Sequence, residues 1–117
     1  MTYVGRSLAS ILGVSNKRRI LIVDDEPSIR MLVRTVLERA GYDVTTARDG
    51  REAIALLAAS DYDLVLLDVI MPNLSGLGVV DELRKDKIGV LAHTYLMTGG
   101  DANQFIARAM AAIHPDR

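Results

Sequence analysis

Three predicted strands in this sequence end directly in polar side chains that could do chemistry. They are Ile20–Val23 before Asp24 and Asp25, Leu64–Leu67 before Asp68, and Val90–Met97 before Thr98. Two ionised aspartates side by side repel each other, and a divalent cation would relieve that repulsion. Clustered carboxylates on rigid strand ends are the ligands that a hard, oxygen-seeking cation such as Mg²⁺ requires. If these strand ends meet, the sequence predicts an acidic site with a hydroxyl donor beside it.

Each of these residues also has a plainer interpretation. The segment Asp24–Pro27 suits the first turn of a helix, because aspartate, glutamate and proline are favoured there. The carboxyl of Asp68 could simply hydrate the edge of a sheet, and Thr98 could be an ordinary turn residue before Gly99 and Gly100. The placement of the strands decides between these interpretations.

The elements that must position these side chains follow from the apolar spacing, which predicts four strand-then-helix repeats from residue 20 onward. The predicted strands are Ile20–Val23, Val44–Ala47, Leu64–Leu67 and Val90–Met97, and a helical pattern follows each of them. Gly41 is expected to end the first helix and Asp101 to cap the last. This alternation is typical of an α/β fold with a parallel sheet, covered on both faces and joined by right-handed crossovers. In such sheets ligands bind beyond the carboxyl ends of the strands, where the strand order reverses.

Composition sets the outer limits of the function. The chain has 117 residues, half of them hydrophobic, which predicts one domain with a single core. It has no cysteine, which excludes disulfides, a thiolate nucleophile and sulfur metal ligands. No apolar run reaches the length of a membrane span, and the N-terminus lacks a secretory pattern. We expect a cytoplasmic protein without a membrane partner.

Charge divides the chain near residue 19. Residues 1–19 contain four basic residues and no acid, whereas residues 20–117 contain 10 basic and 15 acidic residues, a net charge of −5. We interpret residues 1–19 as a basic leader or linker, in which Ser7–Val14 could form a short helix. The net charge of the whole chain is −1, so no overall field favours nucleic acid, and we expect no nucleic-acid partner.

Three motifs, in order, closely resemble the receiver domain of bacterial two-component response regulators. They are Val23–Pro27, Leu67–Gly76 and Met97–Gly99, with 43 residues from Asp25 to Asp68 and 30 from Asp68 to Thr98. The resemblance covers residues 20–117 and implies a flavodoxin-like, doubly wound parallel sheet of strand order 2-1-3-4-5. It also implies a signalling domain that is phosphorylated, rather than an enzyme with turnover.

The resemblance assigns a role to each matching position. Asp68 is implied to be the phosphoacceptor, which takes the phosphoryl group from a sensor histidine kinase or a phosphotransfer protein. Asp25, Asp68 and the backbone carbonyl of Ile70 are implied to bind Mg²⁺, with Asp24 acting through water. Thr98 is implied to be the switch hydroxyl, which changes contacts with a downstream protein target. The candidate contact positions are on the last helix, where Asn103, Gln104 and Arg108 are expected to be exposed.

The sequence departs from the receiver pattern at its C-terminus. A receiver normally has a fifth strand with an aromatic residue and, three residues later, a lysine. The chain reaches His114–Arg117 where that strand should begin, so the fifth strand and helix are expected to be missing. Tyr3 and Arg6 have the same aromatic-to-cation spacing and could belong to a displaced fifth strand. Otherwise the N-terminus is an unrelated leader, or the fourth strand is an exposed edge that favours a homodimer or a domain swap.

Two rival functions remain open at this point. The first is a degenerate or truncated receiver that works as a dimerisation or interaction module without phosphorylation. The second is a phosphatase of the haloacid dehalogenase type, which also uses an aspartate nucleophile and Mg²⁺. Those enzymes have a second acid two residues after the nucleophile, where this chain has Ile70.

Overall fold

The computed structural model describes residues 17–113, which form alternating strands and helices. In chain order they are β1 Arg19–Val23, α1 Pro27–Arg39, β2 Asp43–Ala47, α2 Gly50–Ala59, β3 Leu64–Asp68, α3 Gly76–Asp86, a 3₁₀-helix Ile88–His93, β4 Thr94–Met97 and α4 Ala102–Ile113. Three predictions concern residues outside the described range: the helix Ser7–Val14, the displaced fifth strand with Tyr3 and Arg6, and the segment His114–Arg117.

The sheet is parallel, with strand order β2-β1-β3-β4. β1 and β3 are neighbours in register, so that Val23 lies opposite Leu67. β2 lies on one side of β1, and the next strand, β3, lies on the other side. The strand order therefore reverses between β1 and β3. This arrangement confirms the flavodoxin-like fold and the predicted order of the first four strands.

The strands are buried on both faces, as their continuous apolar sequences require. Ile20 and Ile22 face one cluster, which α1 and α4 cover with side chains that include Leu37 and Phe105. Leu21 and Val23 face the opposite cluster, which lies beneath α2 and α3. Burying each such aliphatic side chain contributes roughly 1.5–3 kcal/mol, so this three-layer packing fixes the strand ends firmly.

The predicted helix boundaries at Gly41 and Asp101 are confirmed. Gly41 has φ +100°, in the left-handed region, and its amide donates to the Glu38 carbonyl at the end of α1. The carboxyl of Asp101 accepts a hydrogen bond from the Gln104 amide at 3.0 Å, at the start of α4. None of the helices within residues 17–113 is both long and apolar enough to cross a membrane.

The prediction of a strand over Val90–Met97 is wrong in its first half. Residues Ile88–His93 form a 3₁₀-helix, and β4 begins only at Thr94. Val90 and Leu91 both pack against the cluster beneath α2 and α3. Adjacent residues of a strand point to opposite faces, so a helical turn is needed to place both on the same side.

The exposed face of α4 also differs from the prediction at one position. Asn103 and Gln104 are exposed as expected. Arg108 is half-buried, and its guanidinium carbon lies 4.5 Å from the centre of the Tyr95 ring on β4. The reason is that α4 lies flat against the sheet, so the Arg108 stem is covered by the β4 side chain below it.

Candidate functional site

The carboxyl ends of β1 and β3 bring three predicted site residues together. One carboxylate oxygen each from Asp24, Asp25 and Asp68 can be chosen so that all three lie within 4.8 Å of one another. Asp24 is 3% exposed and Asp68 is 8% exposed, whereas Asp25 is open to solvent. The cluster therefore has a buried side and a side that is open to solvent.

The position of Asp24 follows from the continuation of the sheet and the start of α1. Its amide donates to the Ala47 carbonyl at 3.1 Å, which extends the ladder between β1 and β2 by one bond. Its carboxylate accepts a hydrogen bond from the Glu26 amide at 2.8 Å. Pro27 is the first residue of α1. The strand-end interpretation of this segment is thus correct, whereas the helix-start interpretation holds only for Pro27, because the two aspartates lie in the short turn before α1.

Asp68 is held by the loop that follows it. Its carboxylate accepts a hydrogen bond from the Ile70 amide at 3.1 Å. The amide of Val69 donates to the Met97 carbonyl of β4 at 3.0 Å, which ties the start of the loop to the neighbouring strand. The Ile70 side chain is exposed, and its backbone is within hydrogen-bond reach of Asp68. The structure thus places the backbone amide of Ile70 next to the Asp68 carboxylate.

Burial and the neighbouring negative charges raise the pKa of the Asp24 and Asp68 carboxyls. The pKa of Asp24 is raised from 3.8 to about 6, chiefly because the carboxyl is buried. The hydrogen bond from the Glu26 amide lowers this pKa, whereas the negative charges of Asp68 and Asp25 raise it. Burial also raises the pKa of Asp68, the Ile70 amide lowers it, and the charge of Asp25 raises it. A cluster of three carboxylates, two of them buried, fits a hard divalent cation, which would stabilise the ionised forms of Asp24 and Asp68.

Thr98 lies at the same edge of the sheet. It directly follows Met97, the β4 residue that lies opposite Asp68 in the parallel register. Thr98 is exposed, and Gly99 after it has φ +65°, a conformation that favours glycine. The hydroxyl is therefore on the third strand end of this edge, at the start of the connection to α4.

A nearby cation that sequence reasoning missed is Arg30, on the first turns of α1. Its guanidinium donates to the backbone carbonyl of Asp24 at 2.8 Å. The ion pairs found among residues 17–113 lie elsewhere and do not include the acidic cluster. The sequence contained a signal for this contact, because Arg30 lies one turn into the helix that follows the acidic end of β1.

Comparisons with known proteins agree with this geometry. The family model for the response regulator receiver domain matches residues 20–114. The probable transcriptional regulator ycf27 of Cyanophora paradoxa is 52% identical over 71 residues, which are 61% of this chain and 30% of that protein. The chain thus spans about a third or less of the length of such curated relatives.

Solved structures agree as well. The response regulator TrrA of Thermotoga maritima, solved with Mg²⁺-BeF, is 38% identical with a TM-score of 0.61, over 80% of this chain and 78% of that chain. TrrA solved with the histidine kinase ThkA is 40% identical with a TM-score of 0.63, over 76% of this chain and 79% of that chain. The family match covers most of the sequence, and the fold and the acidic strand ends agree with it. The chain belongs to the family of response regulator receiver domains.

Proposed function

We propose that this receiver domain accepts a phosphoryl group on Asp68 from a histidine kinase or a phosphotransfer protein, in a reaction that depends on Mg²⁺. The observation that supports this proposal is the meeting of Asp24, Asp25 and Asp68 within 4.8 Å at the carboxyl ends of β1 and β3. TrrA, which is similar to this chain, was solved both with Mg²⁺-BeF and with a histidine kinase.

The chemical step uses one carboxylate oxygen of Asp68 as the nucleophile. This oxygen forms a bond to the phosphorus of a phosphohistidine, the P–N bond breaks, and the imidazole leaves with the electron pair. The Ile70 amide, which donates to the Asp68 carboxylate at 3.1 Å, orients the side chain for this attack. The product is an aspartyl phosphate on the chain itself, so the domain is a phosphoacceptor and not an enzyme with turnover.

The cation would be held by Asp25, Asp68 and the backbone carbonyl of Ile70, with Asp24 acting through water. Bound Mg²⁺ supplies positive charge that offsets the negative charge on the transferring group. Asp25 is the exposed member of the cluster and would be the ligand that solvent reaches. Asp24 is buried, and its ionised form adds charge behind the site.

Thr98 is proposed to be the switch residue. A phosphoryl group on Asp68 presents oxygen acceptors near the end of β4, and the Thr98 hydroxyl can donate to one of them. Gly99, with its positive φ, gives the connection to α4 the freedom to follow. The exposed residues Asn103 and Gln104 of α4 are then the candidate contacts for a downstream protein.

We also infer that residues 1–19 form a basic segment separate from the receiver domain. The family match begins at residue 20, and Arg19 marks the junction, because it is also the first residue of β1. The basic residues of this segment contrast with the net acidic charge of residues 20–117.

The test is phosphorylation by acetyl phosphate with Mg²⁺, followed by mass spectrometry of the full chain. Wild type should gain the mass of one phosphoryl group, and the Asp68→Asn variant should gain none. Asp81→Asn is the matched control, because it removes an exposed carboxylate of α3 away from the acidic cluster and should be labelled normally. Labelling that persists in Asp68→Asn, or wild type that stays unlabelled while an intact receiver is labelled, would contradict the proposal and favour a phosphorylation-independent module.

A further inference from the structure

The loop from Val69 to Ser75 carries Ile70, and it packs against the N-terminus of α2. A Cβ atom at Gly50 would overlap the Leu74 carbonyl oxygen and lie 2.9 Å from the Leu74 Cβ. Real Cβ atoms do not approach a backbone oxygen so closely, so any side chain at Gly50 would push the loop away. The first residue of α2 thus sets how near this loop can lie.

A polar contact holds the same two segments together. The Asn73 side-chain amide donates to one carboxylate oxygen of Asp49 at 3.4 Å, while the other oxygen accepts the Glu52 amide at 2.9 Å. These bonds lower the pKa of Asp49, chiefly through the Glu52 amide, so the carboxylate stays ionised. Asn73 has φ +69°, a conformation that asparagine tolerates better than most residues. One side chain therefore caps α2 and restrains the loop.

The other end of the loop is fixed to the phosphoacceptor strand. A Cβ at Gly76 would overlap the Asp68 carbonyl oxygen, and the Gly76 amide donates to the Val69 carbonyl at 3.0 Å. Between these fixed ends, the Ile70 amide donates to the Asp68 carboxylate. The loop is short and held at both ends, so we expect a shift of the Leu74 backbone to move the Ile70 backbone as well.

We propose that Asp49 and Gly50 are positioning residues for the magnesium site, which act through the loop and not by contact with the cation. They hold the loop so that the Ile70 backbone and the Asp68 carboxylate keep the spacing that the cation needs. The inference rests on the proposed function, since it takes the acidic cluster to be a Mg²⁺ site. It adds two residues that are remote in sequence from the acidic motifs.

The first test compares Gly50→Ala with Gly89→Ala in the full chain. A Cβ at Gly89 meets nothing within 4 Å, so this control adds the same methyl group where there is space. We expect Gly50→Ala to weaken Mg²⁺ binding by roughly tenfold, the lower end of the effect of losing an outer-shell contact, and Gly89→Ala to leave it unchanged. Calorimetric titration with MgCl₂ measures the affinity. Hydrogen exchange of the Ile70 amide without Mg²⁺ should also become faster in Gly50→Ala alone.

The second test exchanges the two polar partners. Asp49→Asn keeps a residue that caps a helix, and a flipped Asn73 amide can accept from the new side-chain amide, so this variant should bind Mg²⁺ as wild type does. Asn73→Asp brings two carboxylates together with no donor between them and should weaken Mg²⁺ binding about fivefold. The double variant should restore it, because the amide introduced at position 49 can then donate to the carboxylate introduced at position 73. If Gly50→Ala does not fold, this series decides the question, since aspartate also tolerates a positive φ.

Both possible failures can be told apart. If wild type binds Mg²⁺ and every variant binds it equally well, the positioning role is overturned while the proposed function stands. If wild type binds no Mg²⁺, the proposed function and the positioning role both fall. Variants that lose stability without Mg²⁺ but bind the cation with wild-type affinity show a purely structural contact, which also overturns the inference.

Discussion

The two halves of the site differ in how firmly the sheet holds them. β1 and β3 each have strands on both sides, and all five residues of β3 are buried. β4 pairs only with β3 among the described strands, and only Met97 of its four residues is buried. Interior strands open rarely, whereas edge strands with partly exposed side chains are the parts of a fold that move most easily. The acidic chemistry thus lies on the rigid half and the proposed switch, Thr98, on the softer half.

The largest expected effect is a difference in stability between these halves. Ile22→Ala removes a fully buried side chain and should lower the free energy of unfolding by about 2–5 kcal/mol. Leu96→Ala, on β4, removes a side chain that is 41% exposed and should cost less than about 1.5 kcal/mol. Urea denaturation monitored by circular dichroism measures both values. Equal losses at the two positions would remove the contrast between the rigid and the soft half.

Magnesium should stabilise the rigid half specifically. At a Mg²⁺ concentration ten times the dissociation constant, a single site adds about 1.4 kcal/mol to the free energy of unfolding. Asp25→Asn should remove most of this gain, because Asp25 is one of the proposed direct ligands. Thermal unfolding with and without MgCl₂ measures the effect, with Asp81→Asn as the control that keeps the gain. Stabilisation of Asp25→Asn equal to that of wild type would show that the cation binds elsewhere.

The pH dependence of the metal-free protein tests the burial of Asp24. Its pKa is about 6 in the folded chain and near 3.8 when unfolded, so the folded state binds more protons between these values. The contribution of Asp24 to the free energy of unfolding should therefore be largest below pH 4. It should fall by on the order of 1 kcal/mol as the pH rises to about 6. Asp24→Asn should flatten this part of the curve. A wild-type curve already flat between pH 4 and 6 would contradict the raised pKa.

The meeting of Asp24, Asp25 and Asp68 could be predicted from the sequence, because each of these acids follows a local apolar pattern. An apolar strand that ends in aspartate fixes both the burial of the strand and the edge on which the acid lies. The limits of β4 could not be predicted, because a short run with apolar residues such as Val90 and Leu91 suits a strand or a helical turn. The contact between Asp49 and Asn73 joins residues 24 positions apart, and no local pattern reports it. Local sequence patterns predicted where the acidic side chains lie, whereas the contacts that support them could be seen only in the folded structure.

The smallest expected effect concerns Arg108, which packs α4 against the softer strand. Its guanidinium stacks on Tyr95, a cation–π contact of about 0.5–1 kcal/mol, but its Nε atom is buried without a hydrogen-bond partner. The stacking and the desolvation of Nε oppose each other, so Arg108→Met, which keeps an unbranched apolar stem, should change the free energy of unfolding by less than about 1 kcal/mol. A double-mutant cycle with Tyr95→Leu should give a coupling energy of about 0.5–1 kcal/mol, because the cycle isolates the stacking from the desolvation of Nε. A loss above about 2 kcal/mol in Arg108→Met would mean that α4 is anchored to β4 as firmly as the interior strands are to each other, and β4 would then be a poor place for a switch.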